Sequence, residues 1–61
     1  MNKDIKLQKI EAQKKFIEID KATIQELIEQ GEDEEIIDFE KERLRKDEEE
    51  LDRMIKEMEG N

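Results

Sequence analysis

Apolar residues recur along the first half of the chain at helical rather than strand spacing. No proline or glycine intervenes between Lys3 and Gln30. At about 100° per residue, the apolar positions of this stretch fall on two stripes rather than one. The first comprises Leu7, Ile10, Ile17, Ile24 and Ile28; the second comprises Ile5, Ala12, Phe16, Ile19 and the methyl-bearing Thr23. They lie roughly 120° apart, with Leu27 between them. A helix with two apolar stripes has two neighbours to cover, which is the pattern of a helix bundle. We assign the first stripe to the core of a hairpin and the second to self-association.

Gly31 is the one glycine away from the C-terminal end of the sequence. It fits the position just past a helix C-terminus, where left-handed backbone costs glycine no Cβ clash. Asp33 suits the cap of a following helix. Glu34, Glu35 and Asp38 fall in its first turns, where the helix dipole favours negative charge. In that second helix Ile37, Leu44, Leu51 and Met58 recur every seventh residue, joined by Ile36, Met54 and Ile55. The flanking core positions Glu40 and Asp47 are acidic and thin the stripe in its middle.

These patterns predict an all-α fold in a single domain, an antiparallel two-helix hairpin. Its parts are a helix over 3–30 capped by Asn2, a turn over 31–33, a helix over 34–58, and frayed residues 59–61. The expected core pairs Leu7, Ile10, Ile17, Ile24 and Ile28 with Ile37, Leu44, Leu51, Met54, Ile55 and Met58. One uninterrupted helix is the rival. It would carry the isoleucine row 10, 17, 24 on to Gly31 and Asp38, both poor core residues, and out of phase with the second row.

Charge changes the picture in two ways. The segment Glu26–Glu40 holds eight carboxylates and no Lys or Arg, so the whole net charge of −8 resides there. Folded back at Gly31, the chain sets Lys3, Lys6, Lys9, Lys14 and Lys15 against the acid-rich 47–59 stretch. Glu18 and Asp20 face Arg43, Arg45 and Lys46, and Asp20, inside the apolar arc, is expected to pair with Arg43 or Arg45. Such exposed pairs set register more than stability.

With 52% charged residues and two aromatics, the composition borders on that of disordered chains. A lone two-helix hairpin cannot bury all of the 17 large apolar side chains present beyond Met1. The expected partner is another copy, giving a homodimeric four-helix bundle or coiled coil.

The chain has no His, Cys, Ser, Tyr or Trp and a single Thr, which removes the usual nucleophiles and the near-neutral base. No enzymatic activity and no cofactor are expected. The run Glu32, Asp33, Glu34, Glu35 lacks the alternating ligands and central glycine of a calcium loop, so no metal is assigned. Without a free basic face, direct nucleic-acid binding is not expected. Without a long apolar run or leader pattern, neither is a membrane; the expected setting is cytoplasmic.

Two outlines invite comparison. The length and midpoint turn resemble Rop-type RNA-binding four-helix bundles, without a match at the level of residues. The string Glu50-Leu51-Asp52 resembles part of the Ser-Gln-Glu-Leu-Asp signature of sporulation-type aspartyl-phosphate phosphatase hairpins, with Glu48 and Glu49 in place of its Ser and Gln. That resemblance would make Asp52 the functional residue; otherwise Leu51 belongs to the core and its acidic neighbours to solvent.

The functional expectation is a non-catalytic protein-interaction and assembly module that self-associates through Ile5, Ala12, Phe16, Ile19 and Thr23. The alternative is a small bacterial or phage regulatory inhibitor. Its acidic tip (Glu32, Asp33, Glu34, Glu35, Asp38) and Phe39 would occupy a basic, nucleic-acid- or phosphate-binding site on a target protein.

Overall fold

The computed structural model describes residues 2–60, which form two α-helices packed against each other in a hairpin. Helix α1 spans Asn2–Glu29 and α2 spans Glu34–Glu59. The rod measures 45 × 15 × 10 Å, matching the roughly 42 Å that the 28 residues of α1 occupy at 1.5 Å each.

The turn follows from Gly31. Its φ of 72° is the left-handed value. The Glu32 amide donates to the Leu27 carbonyl at 3.0 Å and the Gly31 amide to Ile28 at 3.1 Å. This is the paired closure that satisfies the last carbonyls of a helix. Gln30 belongs to this turn rather than to α1. Asp33 precedes α2 with extended backbone, but its side chain makes no capping hydrogen bond. Its carbonyl instead accepts from the amides of Ile36 and Ile37 at 3.1 and 3.2 Å. Glu34 and Glu35 occupy the first turn and Lys56 the last, each sign complementing the dipole. Glu59 is helical rather than frayed, and the Gly60 amide closes the end on Lys56 O at 2.8 Å. Asn61 and the proposed Asn2 side-chain cap lie outside the described features.

Both helices contribute seam residues at alternating steps of three and four, the spacing of a coiled-coil interface. On α1, Ile10, Ile17 and Ile24 are buried, at 6, 6 and 9% exposure. Gln13 and Leu27 are half-buried and Asp20 buried at the intervening positions. On α2, Ile37, Leu44, Leu51 and Met58 alternate with Glu40, Asp47 and Met54, all half-buried, as is Ile55. Gln13 Nε2 donates to the Asp47 carbonyl at 2.8 Å, and Ile10 shares a groove with Met54. This register sets Ile17 level with Asp47, Asp20 with Leu44, and Ile24 with Glu40.

Two expected core residues lie outside the seam. Leu7 and Ile28 are 45 and 49% exposed. The second row of the seam steps three residues forward from each isoleucine, to 13, 20 and 27. Leu7, three residues before Ile10, and Ile28, four after Ile24, are thereby turned to the opposite flank. Leu27 takes the place assigned to Ile28.

The ion pairs also differ from the expected pattern. Lys14–Glu11, Arg43–Glu40, Arg45–Glu42, Arg45–Glu49, Arg53–Glu50 and Lys56–Asp52 each join residues three or four apart on one helix. Arg45 is held between Glu42 and Glu49 and does not pair with Asp20. Arg43 pairs with Glu40 at 3.9 Å, and Asp20 lies against Asp47. Arginine reaches a partner one turn away at less conformational cost than one across a seam.

Candidate interaction face and the acidic seam

The hairpin leaves much of its apolar surface uncovered, and that surface is concentrated on one flank. On α1, Ile5, Ala12, Phe16 and Ile19 are exposed and Thr23 is half-buried. The Thr23 hydroxyl donates to the Ile19 carbonyl at 2.8 Å, which leaves its methyl free to pack. On α2, Ile36 and Phe39 are exposed, Phe39 by 69%. In the seven-residue frame Ile5, Ala12 and Ile19 share the position that Phe39 holds on α2, and Phe16 and Thr23 share that of Ile36. Antiparallel helices are related by a two-fold normal to the hairpin plane, so equivalent flanks open on the same side. The six side chains Ile5, Phe16, Ile19, Thr23, Ile36 and Phe39 therefore border one lateral face. The self-association stripe expected on α1 thus gains two members from α2. The opposite flank carries Leu7 and Ile28 at distant ends of α1.

Beside Phe39 a shallow groove is lined by Glu42, Arg43, Lys46 and Asp47. A second lies between Glu35, Ile36, Phe39 and Glu40. The apolar face thus passes along α2 into a groove of mixed charge.

Directly under this face lies a row of polar seam residues. Asp20 is 7% exposed, and its Oδ2 is buried with no hydrogen-bond partner among the described residues. Burial pushes its pKa from 3.8 up to about 6, helped by the hydrogen bond to Asp47 and the charges of Asp47 and Glu40; the Arg43 guanidinium opposes this. Below about pH 6 Asp20 therefore keeps its proton in the folded chain. Sequence reading places Asp20 in the apolar arc but turns it toward arginine. Gln13 belongs to neither stripe, because a polar residue does not register as core. The signal for both is their seven-residue spacing from Leu27.

The tip carries exposed carboxylates at Glu32, Asp33, Glu34, Glu35 and Asp38. Among the described residues none of these five takes part in an ion pair. No group of three or more His, Cys, Asp or Glu is placed to hold a metal ion among the described residues. Within the string Glu50-Leu51-Asp52, Glu50 pairs with Arg53, Leu51 is half-buried in the seam, and the exposed Asp52 lies 3.1 Å from Lys56. No helix among the described residues is long and apolar enough to cross a membrane.

Comparison with known proteins gives no match to any family model, curated protein or solved structure. Neither the Rop-type nor the phosphatase resemblance gains support from it.

Proposed function

We propose that this chain is a non-catalytic assembly module whose first partner is a second copy of itself, in a cytoplasmic setting. The observation that carries this reading is the balance between covered and uncovered apolar surface. Among the described residues the buried apolar side chains are Ile10, Ile17 and Ile24, all on α1, and α2 buries none. Phe16, Ile19 and Phe39, by contrast, are each more than half exposed. Fully burying a side chain of this size contributes about 1.5–3 kcal/mol. Covering this face would therefore add an amount comparable to the whole stability of a small domain. A flank bearing Ile5, Phe16, Ile19, Ile36 and Phe39 is a larger apolar patch than isolated surface residues require. The test is sedimentation equilibrium across a concentration series. A dimer is expected, and a monomer at every concentration overturns the reading.

A second reading is favoured by the tip. Five exposed carboxylates without ion-pair partners among the described residues, next to Phe39, would present a negative field with an aromatic anchor to a basic protein surface. Binding of the chain to a polycationic surface such as immobilised poly-lysine peptide would respond to the Glu32→Lys, Asp33→Lys, Glu34→Lys, Glu35→Lys variant. Self-association would not. An unchanged affinity of that variant rejects the tip as a docking site.

A further inference from the structure

We infer that the second copy packs face to face with the hairpin tips at opposite ends, with Phe16 beside the two-fold axis. This rests on the self-association reading and adds its geometry.

A two-fold dimer of hairpins joined by one lateral face has two arrangements. With the axis along the rod, the tips lie together and α1 of one copy covers α2 of the other. With the axis across the rod, the tips lie apart, α1 covers α1 and α2 covers α2, each pair antiparallel. Charge separates the two. The whole net charge of −8 lies in Glu26–Glu40, so the first arrangement brings two such tips together, while the second separates them by the 45 Å length of the rod. Like charges placed side by side oppose association, and separation beyond a Debye length of about 8 Å removes that opposition.

Side-chain matching along α1 selects the same arrangement. With tips together, Phe16 and Ile19 of α1 lie over the level of α2 that carries Lys46 and Glu50, so apolar meets charged. With tips apart and the rods fully overlapped, the axis passes near the middle of α1, at Phe16. Phe16 then meets the partner's Phe16, and Ile19 lies over the partner's Ala12, a large side chain against a small one. The Thr23 methyl lies over the stem of the partner's Lys9. On α2, Lys46 comes level with the partner's Glu50, twice by symmetry. Phe39 comes level with the partner's Glu57, so the apolar match is carried by α1. The α1 stripe is thus self-complementary when reversed, as a two-fold interface requires.

The chain has no cysteine, so a single Glu32→Cys change gives one spin-label site at the exposed tip. Electron–electron distance measurement on that labelled protein should return a separation near the length of the rod. A separation near one interhelical spacing, about 10 Å, with a dimeric mass, overturns the orientation and leaves self-association standing. A monomeric mass overturns both. The face is tested by Phe16→Glu, with Leu7→Glu on the opposite flank as its control for folding. Phe16→Glu should weaken dimerisation by about tenfold or more, as loss of one buried aromatic contact does, and Leu7→Glu should not. Equal effects of the two changes overturn the assignment of the face.

Discussion

Asp20 of α1 lies against Asp47 of α2 inside the seam that joins the two helices, and Asp20 Oδ2 has no hydrogen-bond partner among the described residues. A pair of acids where the heptad spacing calls for apolar side chains makes this hairpin weaker at neutral pH than its helical propensity suggests. When Asp20 ionises, a charge is left in the seam beside Asp47 and Glu40, with Arg43 as the opposing cation. Burying an incompletely paired charge costs several kcal/mol even after relaxation.

The pH dependence follows from that pair. Asp20 has a pKa of about 6 in the folded chain against 3.8 ordinarily. Between those values the folded state holds a proton that the unfolded state has lost, so stability falls as pH rises. The contribution is fully present below about 3.8, is lost through about 6, and is flat above. Glu42 acts in the opposite sense, because the hydrogen bond from Arg45 holds its pKa below the usual value. Being fully exposed, it is the weaker influence. Urea unfolding followed by circular dichroism should show a midpoint that declines from pH 4 to 6.5, and Asp20→Asn should flatten that decline. A wild-type midpoint that rises over this range contradicts the account of the pair.

Replacing Asp20 by leucine removes the seam charge and fills the space with apolar volume. At pH 7.5 the expected change is a gain of roughly 1–3 kcal/mol, read from the same urea curves. A loss of stability would mean that the carboxylate is held by stronger contacts than Asp47 and Arg43 provide.

The seam itself is tested by contrasting truncations. Ile17 is 6% exposed and Ile28 is 49% exposed. Ile17→Ala should cost about 2–5 kcal/mol, as core truncations do. Ile28→Ala should cost less than about 1 kcal/mol. Thermal unfolding of both variants decides this, and equal losses would contradict the register.

How far the sequence reveals this architecture depends on which physical signal each residue carries. Gly31 is legible because only a residue without a Cβ reaches a φ of 72° cheaply. The row Ile10, Ile17, Ile24 is legible because three isoleucines at seven-residue spacing stand out from a charged background. Leu7 and Ile28 are apolar and adjacent to that row, but hydropathy does not tell which side of it the partner helix covers. That side is set by the polar residues Gln13 and Asp20, which look like surface in the sequence. The pairing of Asp20 is hidden for a similar reason. Opposite charge suggests Arg43 or Arg45, yet Arg43 pairs with Glu40 and Arg45 with Glu42 and Glu49 within their own helix. On α2, Phe39 reads as part of the acidic tip, and only the antiparallel arrangement places it on the same flank as Phe16 and Ile19.

The turn offers a separate prediction. A Cβ at Gly31 would meet nothing within 4 Å, so the cost of Gly31→Ala lies in the backbone alone. It should be about 1–2 kcal/mol, and Gly31→Asn should cost less, because asparagine tolerates left-handed backbone. Thermal melts of the two variants check the order; alanine equal to glycine would mean that the turn relaxes to another conformation.

The central claim is that the uncovered flank bearing Phe16, Ile19 and Phe39 is occupied by a second copy. Molar mass by light scattering, measured through a dilution series with helicity followed in parallel, tests it most directly. The account predicts twice the 7.4 kDa chain mass at high concentration, with mass and helicity falling together on dilution. A chain that stays monomeric and fully helical at every concentration would contradict it.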